Sequence, residues 1–177
     1  RNNNDAGIGI RLVKDGTWSF CSITNPDTFE QIKKAIEGTI KNSTHYAKDK
    51  KNKINLYPNS NTKTKIDFPV LKKPELEELM KIGFECSEII SSTSRIIKSI
   101  ENPQYTISSK YFVNSEGSEI IQNFTDVTID MMAIAHESGI TQSINTTEGG
   151  RGGLEQITDK NKIQHKAQEI SSRAAQL

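Results

Sequence analysis

The chain has 177 residues, which is long enough to bury roughly 70% of its unfolded surface in a hydrophobic core. Its 23 basic and 22 acidic residues nearly cancel, so no global field favours nucleic acid or acidic lipid. No apolar run approaches the ~20 residues of a membrane span, and no signal peptide opens the chain. Cys21 and Cys86 form neither a disulfide framework nor a metal motif. We therefore expect a soluble cytoplasmic protein, and the start at Arg1 suggests a fragment of a longer one.

The first predicted element is a β-hairpin. Asp15-Gly16 is a type I′ loop pair between two strands that span residues 7–23. This register puts Trp18 and Phe20 beside Arg11 on one face, opposite an aliphatic face. The aromatic face could be a base-stacking platform or could pack in the core. The sequence favours core packing because no basic surface surrounds the two aromatic residues.

A helix is predicted after the hairpin. Asp27 and Glu30 have the spacing of a capping box. Apolar residues then recur every three or four positions, which is typical of one buried helix face. These residues are Phe29, Ile32, Ile36 and Ile40. We expect the helix to end by Lys48.

The segment 48–73 shows no hydrophobic periodicity and is rich in lysine, asparagine and threonine. Lysines can bind phosphate, but almost no aromatic residues lie among them. The sequence therefore favours a solvated polar loop. Because loops of this length are uncommon in compact domains, a role against a partner chain stays open.

A second helix begins around Pro74, since proline suits the first helical turn and glutamates follow it. Its apolar side is formed by Leu76, Leu79, Met80, Gly83, Cys86, Ile89 and Ile90. The isoleucines at positions 96, 97 and 100 predict a short strand that Asn102-Pro103 breaks.

Three β segments joined by tight turns follow, at Tyr105–Asn114, Ser118–Glu137 and Ile140–Thr147. From residue 125 to 136 every odd position after the first is apolar, which is the period of a strand with one buried face. The even positions are mixed, so we expect the second face to be only partly covered. We predict an α+β fold, with a mixed and mainly antiparallel sheet (hairpin plus meander) covered by about three helices. It forms a single domain over 1–177 with a long polar loop at about 48–73.

The core is expected to combine stripes from several of these elements. A closing amphipathic helix is predicted from the 4, 3, 4, 3 spacing of its apolar residues up to Leu177. We predict that the apolar faces of the sheet and of the helices share one core, formed by Val127, Ile129, Met131, Ile32, Ile36, Ile163 and Ile170.

A glycine-rich stretch lies between the meander and the closing helix. It consists of Gly149, Gly150, Arg151, Gly152 and Gly153. A phosphate cradle is one interpretation, although the pattern is neither a Walker loop nor a dinucleotide fingerprint. A flexible or tightly turned connection is another. A third is that the glycines let another backbone approach closely.

No catalytic constellation is found. His45, His136 and His165 fall on separate predicted elements. His136-Glu137 begins like a zinc-protease motif, but Ile140 and Thr141 stand where the second histidine would be. We therefore assign no catalytic and no metal-ligating residue in this chain.

The opening hairpin, Gly7-Ile-Gly-Ile-Arg-Leu-Val-Lys-Asp-Gly-Thr-Trp-Ser-Phe-Cys-Ser22, resembles that of the TldD/PmbA family, once called modulators of DNA gyrase. Further matches follow in the family's order along nearly the whole chain. These are the first helix, Val113–Gly117, Thr128–His136, Gly149–Glu155 and the closing helix.

The resemblance implies a zinc metalloprotease that acts on peptides as a homodimer, or as a heterodimer with a paralogous subunit. The family's metal motif, His-Glu-x-x-x-His, belongs to a C-terminal half that lies beyond this sequence, so no cofactor is expected here and zinc is expected there. We expect a non-catalytic N-terminal domain that helps dimer assembly and admits unfolded peptide to the metal.

The glycine stretch 149–153 is our candidate substrate-binding site. The alternative is a protein-binding adaptor or partner subunit without peptidase activity. A regulator acting near DNA is a third possibility, against which the balanced charge argues. No specific nucleic acid and no membrane is expected as a partner.

Overall fold

The computed structural model describes residues 5–49, 51–58 and 61–176. Its internal contacts divide the chain into two units, residues 1–59 and 60–177, whereas a single domain over 1–177 was predicted. The hairpin and first helix pack on each other, and the later elements pack on a separate sheet. Each unit is described by itself below.

The first unit consists of a hairpin and one helix. Strands β1 (Gly7–Lys14) and β2 (Thr17–Thr24) pair antiparallel, with Ile10 opposite Cys21 and Val13 opposite Trp18. This is the register predicted from the loop pair. Helix α1 (Phe29–Ala47) packs against both strands.

The cap of α1 lies one residue later than predicted. The Gln31 backbone N–H donates to Thr28 Oγ1 at 3.3 Å, and the Asp27 backbone N–H donates to Gln31 Oε1 at 2.8 Å. Thr28 is thus the N-cap residue that Asp27 was expected to be, and the Gln31 side chain reaches back to Asp27, the residue before the cap, in place of Glu30. The prediction was wrong because both pairs have the same spacing and compatible chemistry.

The aromatic face of the hairpin is not core. Trp18 is 49% exposed and Phe20 is 60% exposed, whereas the aliphatic face of the hairpin is half-buried. Helix α1 packs against the hairpin through small residues. One of them, Ser43, is fully buried and hydrogen-bonded to Ser19. One helix covers only one side of a two-stranded hairpin, so the prediction of core packing for the aromatic residues was wrong.

The second unit is built on a four-stranded sheet. Its strands are β3 (Lys63–Asp67), β4 (Ile96–Val113), β5 (Glu119–Glu137) and β6 (Ile140–Arg151). β4 pairs antiparallel along one side of β5. On the other side, β6 pairs antiparallel with 126–137 and β3 pairs parallel with 119–123. The predicted mixed, mainly antiparallel α+β fold is therefore confirmed.

One face of this sheet is covered by two helices, α2 (Leu76–Ser91) and α3 (Lys160–Ala174), and by a 3-10 turn, Leu154–Gln156. The odd positions of β5 from 125 to 135 are buried and the even positions from 126 to 134 are half-buried, as predicted. The core contains Val127, Ile129, Met131, Ile163 and Ile170. Ile32 and Ile36 do not belong to it because α1 lies in the first unit.

Three strand boundaries differ from the prediction. β3 lies inside the predicted polar loop. All five of its residues are exposed, so the sequence there has no alternation of apolar and polar residues that would predict a strand. β4 continues through Asn102-Pro103, because β4 is an edge strand and proline is tolerated there. β6 continues to Arg151 instead of ending at Thr147. No described helix is long and apolar enough to cross a membrane.

Candidate functional site

The first three residues of the glycine-rich stretch belong to strand β6. Gly149, Gly150 and Arg151 pair with residues 128, 127 and 126 of β5, so the stretch is not a flexible connection. Gly149 has a φ of +127°, and a Cβ there would overlap the carbonyl oxygen of Val127. Only glycine fits this backbone conformation and this approach.

The last two glycines bring a distant segment against the end of β6. Gly152 and Gly153 are buried, and a Cβ at Gly153 would overlap the carbonyl oxygen of Lys72. Leu154 N–H donates to that same oxygen at 2.7 Å. The glycines therefore allow a close backbone approach, which was one of the three interpretations of the sequence.

The phosphate-cradle interpretation is wrong. Gly152 N–H already donates to the Thr125 carbonyl at 2.8 Å. Gly153 N–H donates to the Glu155 carboxylate at 2.6 Å. A phosphate would need these donors, and the charge of Glu155 at the same place would repel it.

Glu155 connects two parts of the chain and was missed in the sequence. Its Oε1 accepts from Gly153 N–H at 2.6 Å and its Oε2 accepts from Lys72 N–H at 2.9 Å. Desolvation raises the pKa of Glu155, but these backbone donors, with those of Leu71 and of Glu155 itself, lower it below its ordinary 4.5. The one available signal was a carboxylate two residues after a glycine pair, where it can accept from the N–H of the turn.

The side chain of Arg151 is held by an aromatic pair and a carboxylate. Its guanidinium carbon lies 4.0 Å from the ring centre of Phe124 and 4.9 Å from that of Phe68. The two rings meet edge to face at 86°. Arg151 Nε donates to Asp126 Oδ1 at 3.2 Å, and the side chain stays 45% exposed. Sequence reasoning identified the arginine but none of these three partners, because Phe124 and Asp126 lie on β5 and Phe68 follows β3, both far from Arg151 in sequence.

This arrangement leaves part of the guanidinium available. Among the described residues, only Nε of the guanidinium has a hydrogen-bond or ion-pair partner, and the two terminal nitrogens have none. An arginine that is already ordered loses little freedom when it donates to a carboxylate or carbonyl oxygen. The site can therefore bind an oxygen acceptor through those nitrogens, beside an aromatic surface.

The site lies on the sheet face that α2 and α3 do not cover. Arg151 is opposite Asp126, an even position of β5, whereas the helices pack on the odd positions. The same face carries Asp130, which accepts from Thr147 at 2.6 Å and from Gln104 at 3.3 Å. It is a half-buried, mainly polar surface, and we call it the open face.

The histidines do not fit a metal centre in this chain. His136 Nδ1 is within 2.9 Å of Thr141 Oγ1, and Glu137 pairs with Arg95 at 3.0 Å. His45 and His165 lie on α1 and α3. The described residues contain no group of three side chains suited to ligate a metal ion. Within residues 5–49, 51–58 and 61–176, the side chains therefore do not supply the three-ligand set that catalytic zinc requires.

Two family models match the chain. The PmbA/TldA metallopeptidase central domain matches residues 69–177, and the PmbA/TldA metallopeptidase domain 1 matches residues 1–43. No curated protein is detectably similar in sequence.

A solved structure shares the fold. It is the crystal structure of a "putative modulator of a DNA gyrase" from Thermotoga maritima, with a TM-score of 0.52 and 16% sequence identity. The similarity covers 96% of this chain and 36% of that protein, so the chain spans about a third of its length. Since the central-domain model alone matches more than half of the residues, the chain belongs to the TldD/PmbA family of metallopeptidases.

Proposed function

We propose that this chain is a non-catalytic part of a TldD/PmbA metallopeptidase and captures unfolded peptide for a zinc site located elsewhere in the protein. The observation that carries this proposal is the position of Arg151 on the open face. Two aromatic rings and Asp126 order its side chain, and its terminal nitrogens stay available to a ligand. Extended peptides expose a carbonyl oxygen at every residue and a carboxylate at the C-terminus, and an ordered guanidinium binds both kinds of oxygen.

The long edge of the sheet supplies a second, sequence-tolerant contact. β4 has 18 residues, and within the described chain it pairs only with β5, so its other edge is unpaired. An extended peptide can add to such an edge through main-chain hydrogen bonds. This mode suits a peptidase that acts on many sequences.

The zinc, the hydrolysis and the dimer are assigned to the longer protein. The residues that the structure describes bring no metal-ligating group of three together, and the chain corresponds to about a third of the similar solved protein. We propose that the zinc is held by the C-terminal half. We propose further that this chain helps to assemble the homodimer, or a heterodimer with a paralogous subunit.

A second candidate function is a protein-binding adaptor or partner subunit without its own peptidase activity. Exposed aromatic and aliphatic side chains favour it, because large exposed apolar surfaces often bind other proteins. Trp18 and Phe20 form one such group, and Ile107, Tyr111 and Val113 another. The word modulator in the name of the solved neighbour is consistent with this alternative.

The test is peptide capture by the 177-residue chain. We expect a labelled, unfolded casein peptide to bind weakly, and Arg151→Glu to weaken that binding by about tenfold, the effect of roughly 1.4 kcal/mol. Arg173→Glu is the matched control, since Arg173 is 59% exposed on α3 and carries the same charge. Equal binding by both variants and the wild type would contradict the proposal.

A further inference from the structure

We propose that Glu155 is a positioning residue for the Arg151 contact. In this inference, which rests on the proposed function, its carboxylate holds the segment 68–72 against the end of β6 and thereby keeps Phe68 on the guanidinium.

The carboxylate is shared between two segments that are 83 residues apart. One oxygen accepts from the turn at Gly153 and the other from Lys72. The neighbouring Leu154 N–H adds a bond to the Lys72 carbonyl at 2.7 Å. Both backbone groups of Lys72 are thus bound by the turn that follows β6.

Apolar burial does not hold this segment. Residues 69–73 are all exposed, with Val70 at 39% and Leu71 at 82%. The side chain of Lys72 points away to an ion pair with Glu78 of α2. Polar contacts must therefore hold the segment, and Glu155 makes one of them, to Lys72 N–H, while Gly153 N–H fixes the carboxylate in place.

The other end of the segment carries the residue that matters for Arg151. Phe68 N–H donates to the Asn123 carbonyl at 2.9 Å, and its ring packs edge to face on Phe124. The ring of Phe68 is one of the two that flank the guanidinium. Without the Glu155 carboxylate, Lys72 keeps the Leu154 bond to its carbonyl and the ion pair with Glu78 but loses the bond to its N–H, so the segment is held less firmly and Phe68 can leave the arginine.

Arg151 would then be less ordered before a peptide arrives. Its bond to Asp126 and its contact with Phe124 would remain, but one of the two flanking surfaces would be lost. A ligand that binds a mobile arginine must also restrict it, and this lowers affinity. Glu155 should therefore act on peptide binding through Arg151.

A double-mutant cycle tests this route. The variants are Glu155→Ala, Arg151→Ala and the double variant, and the readout is binding of the labelled casein peptide. We expect Glu155→Ala to weaken binding about fivefold in the wild type and to have no further effect without Arg151, since coupled residues are non-additive. Glu155→Gln keeps one acceptor oxygen and should fall between the wild type and Glu155→Ala.

Amide exchange supplies a second readout at the proposed contact. Exchange at Lys72 and Gly153 should accelerate in Glu155→Ala, while the buried centre of β5 stays protected. Glu88→Ala is the matched control, because Glu88 is exposed on α2 and forms no ion pair within the described part of the chain. If Glu155→Ala does not fold, Glu155→Gln replaces it in the same cycle.

The outcomes separate the two proposals. Additive losses in the cycle, or a Glu155→Ala variant that binds as the wild type does, would overturn the positioning role and leave peptide capture standing. A wild-type chain that binds no peptide would overturn the proposed function and the positioning role with it.

Discussion

Ile129→Ala is predicted to destabilise the second unit strongly. Ile129 is 0% exposed at the centre of β5 and belongs to the core cluster beneath the two helices. The substitution removes three buried carbons, worth about 0.8 kcal/mol each or roughly 2.4 kcal/mol in transfer free energy. The cavity left behind adds to this, so the loss in unfolding free energy should be about 3–4 kcal/mol, within the range of about 2–5 seen for such changes.

The assay must report on the right unit. Trp18, the one tryptophan, lies in the first unit, so its fluorescence does not report on β5. Urea unfolding followed by amide exchange of residues in β5 does. Ile107→Ala is the matched control because Ile107 is 69% exposed, and it should change stability by no more than about 0.5 kcal/mol. An unchanged unfolding midpoint for Ile129→Ala would refute the assignment of the buried face.

Further predictions concern glycines, acid, thiols and DNA. Gly149→Ala should destabilise the chain because of its positive φ and the overlap with a carbonyl oxygen, whereas Gly38→Ala, in open space within α1, should stabilise it by about 0.5–1 kcal/mol; urea midpoints compare the two. Because the pKa of Glu155 is lowered on folding, its stabilisation is present above the unfolded pKa and is lost as the pH falls through the folded pKa. Glu155→Gln should therefore flatten the pH dependence of the unfolding free energy below pH 4.5. Burial, with nearby carboxylates, raises the pKa of the Cys86 thiol to about 11, so iodoacetamide should label Cys21 before Cys86 in the native chain, as mass spectrometry can measure. DNA binding should be weak and salt-sensitive; a sequence-specific nanomolar complex at physiological salt in a gel-shift assay would contradict this.

The parts of the fold that could be predicted are those with a strong local pattern. Alternation along β5 identified its buried face, and Asp15-Gly16 identified the first hairpin with its register. Both signals arise within a few neighbouring residues. α2 shows the limit of this reasoning, because Leu76 and Met80 look apolar enough for the core but are 69% and 47% exposed.

The parts that escaped prediction depend on distant partners. β3 exists because β5 has an unpaired length beyond the end of β6, and its own five exposed residues carry no signal. The surroundings of Arg151 likewise combine Phe68, Phe124 and Asp126 from two regions of the chain. The glycine-rich stretch 149–153 was visible in the sequence, but the backbone carbonyls of Val127 and Lys72 that approach it were not.

The most direct test of the account is a casein-cleavage assay on the isolated 177-residue chain after incubation with zinc, with the metal content measured on the same sample. Zinc hydrolysis needs about three protein ligands with one position left for water, and the described residues bring no such set together. We predict no cleavage and no stoichiometric zinc. One zinc per chain with cleavage that a chelator abolishes would contradict the account, and would make His136 and Glu137 a catalytic site.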